Sequence, residues 1–136
     1  MARYVYPAIF QAEVVGGYSV TFPDLLGCCT EGETLEQAIE MARDALGLYL
    51  YSLEEEKEPA PMPSKPDQVK TGPGQFVTLI DIDMLTYRQK HDKRAVKKTL
   101  TIPAWLNTIA ENRNINFSQI LQNALIEHLD LKDSQK

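Results

Sequence analysis

The chain has only two cysteines, and they are neighbours, Cys28 and Cys29. Adjacent cysteines exclude a Cys-x-x-Cys zinc spacing and disfavour an ordinary structural disulfide between the pair. Both are expected to be reduced and packed. No run of about 18 apolar residues occurs, and the start is not charged and then apolar, so neither a membrane span nor a secretion signal is expected. These absences point to the cytoplasm. Histidine is equally scarce: His91 lies in a basic run and His128 near a helix end, where it can favour the dipole. Neither has a nucleophile or carboxylate at a catalytic spacing, so no catalysis and no cofactor are expected.

What is present is enough for one real core and a small appended module, given 136 residues of which 43% are hydrophobic. The overall charge of −5 hides a division along the chain. Residues 1–58 carry 3 Lys/Arg against 11 Asp/Glu, whereas residues 86–136 carry 9 against 5. An acidic front and a basic back imply two surfaces with different partners, something basic for the first and a polyanion for the second.

The front reads as strands followed by a helix. Tyr4–Phe10 has strand composition, with Pro7 suggesting an edge position or a bulge, and Gly16-Gly17 suits a tight turn into Tyr18–Phe22. Cys28–Thr30 forms a short third strand. Thr34-Leu-Glu-Gln37 has the form of a capping box, and behind it Leu35, Ala38, Ile39, Ala42, Ala45, Leu46, Tyr49 and Leu53 recur at helical spacing. Residues 54–75 are linker-like, with four prolines between 59 and 66 that stop the helix. Gln75–Asp83 is a strand apolar enough to be interior to the sheet, and Met84–Asp92 is a short helix. The expected fold class is α+β, a β-β-β-α-β unit over residues 1–92 with a second unit over 93–136.

In that second unit, Val96–Ile102 alternates: Leu100 and Ile102 fall on one face, Lys97, Thr99 and Thr101 on the other. Lys98 shares the apolar phase, where it must snorkel or contact a phosphate. Pro103 allows a helix to start, Asn112-Arg113-Asn114 ends it, and Asn116 is a natural cap for Phe117–Leu129. One strand and two helices bury too little to fold alone, so an intertwined homodimer is expected. The pattern resembles the ribbon-helix-helix repressors, in which two chains pair their strands into a ribbon that enters the major groove of DNA. That resemblance makes Lys97, Thr99 and Thr101 the base-facing residues, and it sets Asn116, Phe117 and Ser118 against a phosphate through backbone N–H groups. A solvated face that guards an edge strand against aggregation is the plainer reading of the same residues.

Taken together, Tyr6-Pro7-Ala8, Gly17-Tyr18-Ser19-Val20-Thr21-Phe22-Pro23-Asp24-Leu25, Gly27-Cys28, Thr30-Glu31-Gly32, Thr34–Ala38, Asp44-Ala45-Leu46, Phe76–Asp83, Lys97–Pro103 and Asn116-Phe117-Ser118 make the chain resemble the HicB antitoxins. The resemblance implies a partial RNase H-like domain that masks a HicA-type toxin, a small basic mRNA-cleaving ribonuclease. It also implies a C-terminal repressor domain acting on operator DNA as a dimer or a dimer of dimers. Phe22, Pro23 and Asp24 are candidate toxin contacts, and they equally have the chemistry of a structural turn. The alternative to an antitoxin and autorepressor is a metal-dependent ribonuclease. Asp81 and Asp83, two apart on one strand face, would then hold a metal with Asp24 or Asp44. Against that, Asp83 also stands where the following helix wants a cap.

Overall fold

The computed structural model describes residues 3–131. Contacts divide the chain between His91 and Asp92 into two compact units. Each is taken by itself.

The first unit is α+β. Strand β1 (Arg3–Ala12) turns through Gly16 and Gly17, at φ +98° and +82°, into β2 (Tyr18–Thr21). Only glycine enters that left-handed region without strain. Strand β3 (Cys29–Gly32) follows, then helix α1 (Leu35–Glu55), strand β4 (Gln75–Asp83) and helix α2 (Met84–His91). The sheet is antiparallel throughout, in the order β3-β2-β1-β4.

Two expectations about strands change. The apolar run Gln75–Asp83 was expected inside the sheet, but β4 is an edge strand that pairs only with β1. Its apolar character comes from facing, since Ile80 and Ile82 are buried while Phe76 and Leu79 stay half exposed. Pro7 lies in a strand with neighbours on both sides, yet it meets the edge condition locally. The Ala12 N–H bonds to Gly74 C=O, so ladder alternation turns the Pro7 nitrogen to the β2 side, where β2 has already ended at Thr21.

Helix α1 starts as its sequence dictates. Thr34 Oγ1 accepts from the Gln37 N–H at 3.1 Å, and the Gln37 side chain reaches back to the Glu33 N–H at 2.6 Å. The stripe Ala38, Ala42, Leu46, Gly47 and Leu50 is buried against the sheet, closing a core with Tyr6, Ala8, Phe10, Val20, Phe22, Leu25, Ile80 and Ile82. Small residues set how near the helix comes. A Cβ on Gly32 would collide with the Ala38 backbone, and one on Gly47 with the Tyr87 ring. Cys28 is packed under α1, where burial, with a smaller contribution from Cys29, pushes its thiol pKa up to about 11. Cys29 is exposed, contrary to the expectation that both thiols would be packed.

The proline-rich stretch after α1 is exposed over most of its length but is tied to the first unit by hydrogen bonds. Tyr6 Oη donates to the Pro61 carbonyl, and burial raises the Tyr6 pKa, which keeps that proton in place.

The second unit holds helix α3 (Ala104–Asn112) and helix α4 (Phe117–His128). Asn116 caps α4, its side chain accepting from the Gln119 N–H at 3.1 Å, and Asn114 turns the chain between the helices at φ +54°. The expected strand at 96–102 forms no ladder: in the single chain residues 92–103 belong to no helix or strand. Strand pairing needs a second strand, and among the described residues of this unit there is none.

Because Gly32 sits against helix backbone, which cannot rotate away, Gly32→Ala should destabilise the first unit by about 1–3 kcal/mol. Urea unfolding followed by circular dichroism measures this; an unchanged midpoint would show that the helix shifts freely.

Candidate functional site

In the second unit no described residue is buried. Leu100 (63% exposed), Trp105 (66%) and Ile120 (50%) are open to solvent, as are Ile102, Leu106, Ile109, Phe117, Leu125 and Leu129 in part. So much contiguous apolar surface marks an interaction site. Part of it forms a groove lined by Leu100, Ile102, Phe117, Ile120, Leu121 and Ala124.

The segment 97–102 divides at this groove. Lys98, Leu100 and Ile102 line it, whereas Lys97, Thr99 and Thr101 are exposed and do not. The two-residue alternation is thus kept without a ladder. Lys98 therefore stands at the groove with the apolar residues, its ammonium able to snorkel out along its stem. The Asn116 side chain is engaged as the α4 cap, and Phe117 and Ser118 contribute their side chains to the groove. At the start of α4 the Gln119 N–H is taken by the Asn116 cap, and the first-turn N–H groups beside it have no partner within the helix.

The first-unit candidates lie in a different setting. Phe22 is buried in the core, so its ring is not available to a partner. Both carboxylate oxygens of Asp24 accept from Ser64, one from its N–H at 2.8 Å and one from its hydroxyl. Of the three candidates only Pro23 is exposed. Phe22 anchors the turn and Asp24 latches the proline-rich segment. Nothing in the sequence pointed to Ser64, because the latch joins two loops 40 residues apart.

Asp81 and Asp83, considered for a metal, are likewise engaged. Asp81 accepts from Arg3 at one oxygen and from Arg43 at the other, at 3.4 Å for the second. Asp83 Oδ1 accepts from the Leu85 N–H at 3.0 Å, capping α2. Among the described residues no group of three or more His, Cys, Asp or Glu side chains is arranged to hold a metal ion. Two guanidinium groups on Asp81 offset its charge and compete with any cation for its oxygens.

Outside the candidates, His91 stacks on Tyr87 with ring centroids 4.3 Å apart, and Arg88 lies 4.6 Å over the Tyr51 ring. The second of these contacts joins the C-terminal end of α1 to α2. No described helix is long and apolar enough to cross a membrane.

The first unit thus has Asp24, Asp81 and Asp83 holding protein groups, and the second has an open apolar groove. Comparison with known proteins gives the family. The family model for the HicB-like antitoxins of bacterial toxin-antitoxin systems matches residues 6–125, and the chain belongs to that family. An uncharacterized 14.9 kDa protein from the rep-hol intergenic region of Haemophilus phage HP1 is 30% identical over 105 residues, 75% of each chain. Antitoxin HicB 1 of Photorhabdus laumondii is 42% identical over 66 residues, 47% of this chain but only 43% of that protein. Among solved structures, a chain of a toxin-antitoxin complex from Streptococcus pneumoniae superposes with a TM-score of 0.60 at 27% identity, covering 93% of this chain and 99% of that one.

If the Asp24–Ser64 latch holds the proline-rich segment, Asp24→Ala should cost about 1 kcal/mol. Limited proteolysis should then cut the stretch from Pro59 to Lys70 faster than in the wild type; equal rates would mean the segment is held by packing alone.

Proposed function

We propose that this chain is an antitoxin and autorepressor: its first unit neutralises a HicA-type toxin, and its second unit, as a homodimer, represses its own operon in the cytoplasm. The observation that carries the repressor half is the division of residues 97–102 at the apolar groove. A second copy supplies what the groove needs. Two segments 96–102 pair antiparallel, Leu100 and Ile102 of each turn inward, and a ribbon-helix-helix core closes from residues that are all exposed in one chain.

The opposite phase then emerges on one continuous surface. Lys97, Thr99 and Thr101 from both copies face the major groove, the lysine toward guanine acceptors and the threonines toward acceptors and the thymine methyl. Asn116, Phe117 and Ser118 present the α4 N-terminus to a phosphate. The basic balance of residues 86–136 supplies the non-specific attraction that brings the ribbon to DNA.

The toxin half rests on family membership and on the likeness to a chain of the Streptococcus pneumoniae toxin-antitoxin complex. The acidic balance of residues 1–58 suits a basic partner. A partial RNase H-like domain agrees with the strand order and with the helix lying over one sheet face. The metal-dependent ribonuclease reading is the weaker one, because Asp81, Asp83 and Asp24 each hold protein groups instead of an open coordination site.

For the repressor, Leu100→Asp should convert the chain to monomers in light scattering and abolish the gel shift on the DNA upstream of its gene. Lys97→Ala should leave the dimer intact and weaken that shift by about 1–3 kcal/mol. A monomeric wild type, or full DNA binding by the variant at Lys97, defeats this half.

For the toxin, RNA cleavage by a HicA-type toxin should stop at a stoichiometric amount of this chain. RNA cleavage by the chain alone with Mg²⁺, lost in Asp81→Asn, would establish the ribonuclease instead.

A further inference from the structure

Strand β3 ends the sheet on the side away from β4, and its free flank has the parts of a strand-docking site. The Phe22 N–H bonds to Cys28 C=O, which makes that pair a hydrogen-bonded one. Antiparallel alternation then turns Thr30 and Gly32 toward β2, and sends the N–H and C=O groups of Cys29 and Glu31 outward. Among the described residues no strand pairs there. Four backbone groups in one row are a template for one more strand.

Beside this edge α1 overhangs the sheet. Met41 (40% exposed) lines a hollow at the Glu31–Gly32 end of β3, and Ala45, Leu48 (59%) and Tyr49 line a second at its Cys28–Cys29 end. Carboxylates border both: Glu13, Glu31 and Glu33 at one end and Glu56 at the other, with no Lys or Arg in either lining. An added strand would bury its inward side chains on Met41 and Leu48, and would meet negative charge at both ends. The opposite edge is built differently, because Arg43 Nε donates to the Asp81 carbonyl at 3.0 Å and so occupies the free flank of β4 with a cation.

We propose that the toxin docks on β3 by strand addition, an extended cationic segment of the partner pairing with Cys29 and Glu31 while its apolar residues enter the hollow under α1. The inference rests on the toxin-partner reading above and deepens it by naming the edge. The charge of the trough selects the occupant. A second copy of this acidic unit would repel it, whereas a cationic segment is drawn in.

The test uses the full chain and a HicA-type toxin, with affinity read by calorimetry. Glu31→Pro removes an outward N–H and leaves the β2 ladder intact, a position where an edge strand tolerates proline. Leu48→Lys places a cation in the hollow. Each should weaken toxin binding by about tenfold or more, as loss of a central contact does. The gel shift on operator DNA should not change. Hydrogen exchange on the unmodified chain gives a readout that does not depend on variant folding: the Cys29 and Glu31 amides should slow when toxin is added.

Wild-type affinity in both variants, or unprotected Cys29 and Glu31 amides in a formed complex, overturns the edge assignment while the toxin partner stands. A drop in the chain's own oligomeric mass in Glu31→Pro without toxin would make a second copy the occupant, and also overturns it. No binding by the wild type defeats the toxin-partner reading itself.

Discussion

The close approach of α1 to the sheet is the constraint on which the first unit depends. It is possible only because Gly32 has no side chain where the strand passes the Ala38 backbone, and because Gly47 leaves room for Ile82 of β4 and the Tyr87 ring of α2. With the helix that near, the buried stripe from Ala38 to Leu50 closes the core over Phe10, Val20 and Ile80. The same placement leaves the other flank of α1 hanging over β3, so one packing distance sets both the core and the shape of the exposed edge. The proline-rich segment returns across Tyr6 and Asp24 and is held by side chains already fixed by that core.

The second unit is governed by the opposite condition. Asn116 caps α4 and the apolar residues of both helices recur at helical spacing, but two short helices and an extended segment enclose no interior. Hydrophobic burial is proportional to area removed from water, and here that area is left over. In the proposed dimer a second copy covers that area, and the alternation across residues 97–102 assigns which side chains face inward and which face out. Stability and DNA contact follow from one event in the proposed dimer.

Under the proposed function, charge assigns the two units different partners. The acids of the first unit are sorted by the fold: Asp24, Asp81 and Asp83 are absorbed in structural bonds, while Glu31, Glu33 and Glu56 border open hollows. Net charge alone could not separate these groups, since every carboxylate counts equally in a sum. Distance to a donor decides which ones remain to attract a partner.

Much of the architecture was legible along the chain. The capping box at Thr34, the paired glycines at 16 and 17, the cap at Asn116 and the alternation from Lys97 to Ile102 are local patterns, because their physics acts over a few residues. The family likeness was legible for the same reason, as a string of such patterns in order. Tertiary structure alone decided the rest. It put β4 at an edge though its composition suited the interior, exposed Cys29 while burying Cys28, took Phe22 into the core, and tied Asp24 to Ser64 and Asp81 to Arg3 and Arg43. Those outcomes depend on contacts between residues far apart in sequence, where the partner is chosen by packing geometry rather than by spacing.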